Sequence, residues 1–514
     1  MNHRTYIKNL LESFVKDTRK VVSSTMFIKH YDTFNITLEE IENMVCDEYR
    51  AGLLYHRYAK NDIKEPYEPF ISGIRYFYRK FFSESTVEEF IDDCNVYSLH
   101  KDILISYLKT GRASRHELLI ISEVEYEKKK FMQSICNCLN YISSRKKMLI
   151  VLDCVQQACL SSLHIIREFM NTLEKQEFRL LVIYNEMHTP LPYLDEAFNA
   201  MVDQAERYSI LFEWDGMEEN MVNDYHVTFI PSSRFFSEYL LKLNNLFQML
   251  AIEDVEHYMQ IIHERIVQEK LNIDKTDKFN FYALRAYNYI ISDNINSALL
   301  MCEKMLQLYD PEKDLYQDYV YNFITALSQM TRIQSDLAIR YSENCILTAG
   351  RMGDPDLLFR ANVLYTSAKF CGWKDIFSID FTRVTIDENI VLELKNHKYY
   401  NTLAYYLACG SDNDYDTIQR VVAGEQEADC LNAAVQLGTE LGNHNFLLAA
   451  YTKSIILYTE KGFHKYANLF YEKNCRSSVP KKIIREWRIC YWEWGITRLS
   501  ANSISRPMSI LTRR

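Results

Sequence analysis

Glycine and proline are scarce, at 13 and 9 residues in a chain of 514, or about 2.5% and 1.8% where average usage is roughly 7% and 5%. So few turn-formers and helix-breakers exclude an all-β sandwich or barrel, a collagen and a Pro/Gly-rich disordered chain. Long apolar runs are missing too, since none approaches the roughly 18–20 residues that cross a bilayer. The N-terminal MNHRTYIKNLLESFVKDTRK lacks the apolar stretch of a signal peptide. A cytoplasmic protein with no membrane partner is expected. Positive charge is in deficit: 59 Lys+Arg against 69 Asp+Glu leaves −10, which counts against broad electrostatic binding to nucleic acid. The 13 cysteines contain no C-x-x-C pair. They are expected as reduced core residues, holding neither zinc nor disulfides.

What is present is apolar and aromatic. Hydrophobic residues make up 48% and aromatics 13% of the chain, ample for a large core, and the length calls for two or more units. Up to about residue 215, short apolar runs at 21–28, 52–58, 148–153 and 178–184, and a weaker one at 208–214, alternate with helical patterns at 37–51, 68–82, 125–144 and 161–175. That alternation predicts a five-stranded, mostly parallel sheet covered on both faces, with the first, third and fourth runs as adjacent central strands.

Beyond a connector at 216–243 the strand signal ends. From 244 to 500 helix follows helix, and the pattern repeats. Residues 346–373 parallel 433–462, and superposing Gly353 on Gly442 gives an offset of 89 residues. Tyr289, Ala298 and Met305, with Pro311 behind them, have the spacing of a tetratricopeptide hairpin, as do Tyr458, Gly462, Ala467 and Tyr471. A helical solenoid is expected, followed by a flexible tail at 501–514. The segment KKIIREWRICYWEW (481–494) interleaves basic and tryptophan side chains; it reads either as a nucleic-acid or peptide surface or as an amphipathic helix capping the solenoid.

A parallel sheet directs attention to the turn after its first strand, where phosphate would bind. Counted back from Thr37, the spacing of a Walker A loop falls on His30, Asn35, Ile36 and Thr37. Both glycines and the lysine are replaced, and only the hydroxyl remains. Thr37 reads either as a phosphate ligand or as the first residue of a capping box, TLEE. The helices beginning HELLI (116–120) and HERIV (263–267) lack the second histidine of a zinc protease.

The segment MLIVLDCVQQACLSSLHIIREFM (148–170) resembles L-L-I-V-L-D-D-L-x-W-A-D-x-x-S-L-x-L-L of the STAND-class signalling ATPases, the large bacterial regulators that couple a P-loop module to helical repeats. Asp153 matches the magnesium-coordinating acid, while Cys154 stands where the water-polarising acid would be. Asn185, after RLLVIY, stands where the family has a sensing arginine, and EPYEPFISGIRYF (65–77) is similar to the family's P-Y-x-P-F-x-x-A-L-R. The resemblance spans about 20–215. It implies ATP-dependent switching with the repeats as sensor and an appended output domain, yet the chain departs at each residue that would touch γ-phosphate or water. No output domain is expected after residue 500.

The expected architecture is therefore an α/β P-loop-type parallel-sheet domain (1–215) followed by an all-α tetratricopeptide-like solenoid. Thr37 and Asp153 are the vestigial cofactor-binding candidates for ATP and magnesium, with no catalytic or metal residue expected. A non-enzymatic regulator or scaffold is expected to bind a protein or peptide partner on the concave face of the repeats, through Tyr282, Arg285, Asn362, Tyr365, Lys369 and Lys453. The alternatives are an atypical ATP-binding switch and a transcription regulator whose output domain is separate or lost.

Overall fold

The computed structural model describes residues 25–30, 38–45, 47–58, 63–115, 124–172, 178–185, 191–208, 210–214, 229–268, 270–332, 334–369, 386–410, 415–425 and 429–476, together with Asn9 and Phe14. Five strands, β1 (Thr25–His30), β2 (Leu53–Arg57), β3 (Met148–Asp153), β4 (Phe178–Asn185) and β5 (Ile210–Trp214), form one sheet in the order β2-β3-β4-β1-β5. Every neighbouring pair is parallel. The three runs expected at the centre are adjacent, as β3, β4 and β1. Strand β1 runs past the end of the 21–28 run, because β4 and β5 offer partners to Lys29 and His30; residues 21–24 lie outside the described residues.

Strand periodicity builds both faces. Met148, Ile150 and Leu152 pack with Phe27, Leu180 and Val182 in one core, and Leu149 and Val151 pack with Met26, Ile28, Leu181 and Ile183 in another. Helices α1 (Leu38–Met44) and α2 (Asp47–Arg50) cover the second face through Ile41 and Tyr49. The first face is covered by α3 (Phe70–Phe81), α4 (Val87–Asp93), α5 (Ser98–Thr110), α6 (Val124–Ser143), α7 (Leu160–Thr172) and α8 (Asp195–Tyr208). Phe70, Ile71, Ile74 and Phe77 give α3 one apolar stripe, and Thr86 with Glu89 closes a capping box at the start of α4. Gly52 is required where β2 meets β3, because a Cβ there would lie 2.1 Å from the Lys147 carbonyl oxygen.

The helical part begins at α9 (Phe236–Gln248), inside the 216–243 segment expected to be a connector, and continues with α10 (Ile252–Val267), α11 (Lys275–Ile291), α12 (Ile295–Leu306), α13 (Leu315–Thr331), α14 (Ser335–Met352) and α15 (Pro355–Lys369). After the 370–385 segment come α16 (Glu388–Asn396), α17 (Tyr400–Ala408), α18 (Tyr415–Ala423), α19 (Cys430–Leu441), α20 (His444–Glu460) and α21 (His464–Arg476). Their buried side chains do not form one core. They form a string of cores in chain order, spanning 229–324, 319–368, 394–406 and 404–470, so each helix packs chiefly on its neighbours. The two glycines superposed at the 89-residue offset hold the same place in the backbone: α14 ends on Gly353 (φ 68°) and α19 on Gly442 (φ 66°), both left-handed. Each is followed at once by the next helix, α15 or α20. At Gly438 the approach is close, since a Cβ would sit 2.5 Å from the Phe446 ring. The 481–494 segment and the 501–514 tail lie outside the described residues.

The two parts are joined by buried polar contacts. Asp254 of α10 accepts hydrogen bonds from the Leu160 and Ser161 amides at 2.8 and 3.0 Å, so the helical array caps the helix that follows β3. Asn245 of α9 accepts from the Ala113 amide at 2.9 Å and donates to the Gly111 carbonyl at 3.1 Å. Tyr67 donates to the Met249 carbonyl at 3.1 Å, and Lys128 pairs with Glu253 at 2.5 Å. Among the described residues no helix is long and apolar enough to cross a membrane.

Candidate functional site

Ligands of open parallel sheets gather at the carboxyl ends of the strands, and Asp153 ends β3 there. Its side chain is 2% exposed. Pairing of β2 with β3 sets Arg57 opposite Asp153 and Tyr55 opposite Val151, so two β2 side chains reach the same carboxylate. Tyr55 donates its hydroxyl to Oδ2 at 3.1 Å, and the Arg57 Nε lies 3.6 Å from the same oxygen. Burial, and then the Asp153 charge, push the Tyr55 hydroxyl above its ordinary pKa. One carboxylate oxygen of Asp153 thus already has two partners within the fold.

The next residue turns the chain. Cys154 takes a left-handed conformation (φ 59°, ψ 43°), an uncommon one for a residue with a side chain. Burial first, and the Asp153 charge second, push its thiol up to about 11. A thiol raised to that value is mostly protonated at neutral pH. Magnesium prefers an octahedron of oxygen ligands, usually with several waters. Here one acid oxygen already meets a guanidinium and a hydroxyl, and the next residue supplies a thiol in place of an oxygen ligand. These residues do not fit the ion that the resemblance implies. Thr37 lies outside the described residues, as do Asn35 and Ile36. His30 and Asn185 end β1 and β4.

On the opposite face of β2 from Tyr55 and Arg57 is a pair that the sequence reading missed. His56, also on β2, has Nε2 3.6 Å from the Glu68 Oε1. Burial and nearby Lys64 lower His56 to about 4, and burial raises Glu68 to about 7. Between about 4 and 7 the two shifts favour a neutral imidazole beside a carboxylic acid. The Glu68 carbonyl accepts from Tyr58 and Ser162, both at 2.6 Å, which fixes the EPYEPF segment against β2 and α7. Glu68 lies within that quoted motif, but its partner is on a strand that only the fold brings near.

The six residues expected to line a groove do not share one exposed face. Tyr282, Arg285 and Lys453 are 7%, 3% and 8% exposed, which corrects the expectation that they face solvent. Tyr282, Arg285 and Tyr289 fall at i, i+3 and i+7 of α11, so they lie on its inward stripe, where long side chains bury their stems. Arg285 donates to Gln260 of α10 at 2.7 Å and to Tyr289 at 3.0 Å. Lys453 of α20 donates to the Ala408 carbonyl at the end of α17, and burial lowers its pKa. Asn362 is exposed, and its amide turns back to its own helix, donating to Leu358 at 3.0 Å. Tyr365 is half-buried, and Lys369 is the last residue of α15. No protein-family model matches the chain, and no curated protein or solved structure matches it either.

Proposed function

We propose that the chain is a non-enzymatic regulator or scaffold. Its α/β unit is a P-loop NTPase-like module that has lost its catalytic residues, and its tetratricopeptide-like array binds a protein or peptide partner. The observation that carries this reading is the setting of Asp153: the acid that would hold magnesium is paired with Arg57 and hydrogen-bonded by Tyr55, both from the neighbouring strand, and a thiol follows it. The strand order supports the P-loop part, because β1, β4 and β3 stand side by side with Asp153 at the carboxyl edge. Two features support the repeat part. The cores are strung between neighbouring helices, and the small residues Ala298 and Ala467 are buried where hairpins close. No metal-dependent step is assigned.

Titration of the purified full chain with labelled ATP, with magnesium and then with EDTA, tests the reading. The same weak or absent binding in both conditions is expected. Tight binding that needs magnesium would overturn it in favour of an ATP-binding switch.

A further inference from the structure

We propose that α9 and α10 form a reversible joint between the α/β unit and the helical array, one that opens while both parts stay folded. The first observation behind it is that the two apolar cores stay separate. Among the described residues they exchange one buried apolar side chain each: Met249 of the array packs in the core of the sheet, and Ile63 packs in the first core of the array. The second is that the junction is otherwise rich in polar contacts. Besides the bonds of Asn245, Met249, Glu253 and Asp254 given above, the Gln248 carbonyl accepts from Arg115 Nε and Nη2 at 3.2 and 3.0 Å, and the Lys64 amide donates to the Tyr258 hydroxyl at 3.4 Å. Tyr193 stacks on His257 with 3.8 Å between ring centres. Apolar surface that is uncovered costs free energy in proportion to its area, whereas hydrogen bonds that part are remade with water at a small net cost. Units that keep their own cores and meet through polar contacts are expected to move against one another.

The joint bears on the carboxyl edge of the sheet. Residues 154–159 lead from Asp153 to Leu160, and this strap is held at one end by Tyr55 and Arg57 and at the other by Asp254. Opening releases the array's hold on the strap, so a change in α10 reaches Asp153 along it. That a bound partner supplies such a change rests on the reading of the array as a partner-binding surface; the joint itself does not.

Asn245 and Asp254 attach to different elements, the turn after α5 and the start of α7, so a concerted opening must free both. Hydrogen exchange of the full chain at rising, sub-denaturing urea, read by mass spectrometry, tests this. In wild type the Ala113, Leu160 and Ser161 amides should be at least about tenfold less protected than those of β3, β4 and α13, and should share one urea slope smaller than theirs. Asp254→Ala should speed exchange at Ala113, whose amide is bonded to Asn245, and Asn245→Ala should speed it at Leu160 and Ser161, each at least about fivefold. Should Asp254→Ala fail to fold, Asp254→Asn, which keeps one acceptor oxygen, makes the same comparison. Junction amides with the rate and slope of the strand amides would overturn the joint, because the parts would then separate only as the sheet unfolds. Acceleration confined to the amides that each variant unbonds would overturn it too, because the contacts would then be independent. Either failure leaves the scaffold reading standing, since neither measures partner capture.

Discussion

Asp153 carries the functional argument at the scale of single residues, and its environment sets a testable cost. Asp153→Ala leaves the Tyr55 hydroxyl without its acceptor and returns the half-exposed Arg57 to water, so a loss of about 1–3 kcal/mol is expected in denaturant unfolding. Asp153→Asn keeps an acceptor and should cost less. Millimolar magnesium should leave the wild-type melting temperature unchanged; a magnesium-dependent rise lost in Asp153→Asn would make the acid a metal ligand after all. Acid sensitivity follows from the histidines. Burial holds His56, His164 and His257 at about 4, so between about 6.5 and 4 the unfolded chain binds protons that the fold does not. Stability is therefore lost as pH falls through that window, by at most about 1.4 kcal/mol per pH unit for each histidine. Glu68, raised to about 7, has the opposite sign, because the fold takes up its proton first. Glu68→Gln should steepen the loss below pH 6.5 in chemical denaturation, and an unchanged slope would count against this assignment. Of this site, Asp153 was legible as an acid ending an apolar run. Tyr55, Arg57 and Glu68 were not, because the parallel register that joins residues 98 apart leaves no local trace.

Elements follow local patterns more closely than sites do. The apolar runs at 148–153 and 178–184 are β3 and β4, because a strand buried on both faces needs a continuous apolar sequence, whereas the run at 52–58 is β2, a part-buried strand at the edge of the sheet. The Gly353 and Gly442 offset was legible because a left-handed C-cap favours the same residue type each time. The connector was misplaced: α9 begins at Phe236, where the apolar Phe236, Tyr239, Leu243 and Leu246 recur at helical spacing. The contact least visible in sequence is the cap on α7, whose acid lies 94 residues away from Leu160. Asp254→Ala orphans the buried amides of Leu160 and Ser161, and a loss of about 1–3 kcal/mol is expected. Asp254→Asn should retain part of the cap. Urea unfolding of the two variants checks this, and equal stability of wild type and Asp254→Ala would show that the cap contributes nothing.

At the scale of the whole molecule, an α/β unit is docked on a string of helical cores, and the docking runs through the helix that follows β3. The sequence foretold that order of parts through its change of periodicity near residue 215. It gave no sign of how the parts meet, because Asn245, Asp254 and Tyr67 bond to backbone groups, which carry no residue signature. The groove residues failed for a related reason. A polar residue in a helical repeat is read as exposed, whereas Arg285 and Lys453 lie inside, bonded to neighbouring helices. The central proposal is that this parallel sheet belongs to a nucleotide-binding type of module that lacks the chemistry of hydrolysis. Steady-state ATP hydrolysis by the purified full chain in magnesium tests it most directly. The account predicts no release of phosphate above the uncatalysed background, with Asp153→Asn indistinguishable from wild type. Sustained turnover near roughly 1 per second, a typical enzyme rate, abolished by Asp153→Asn, would contradict it.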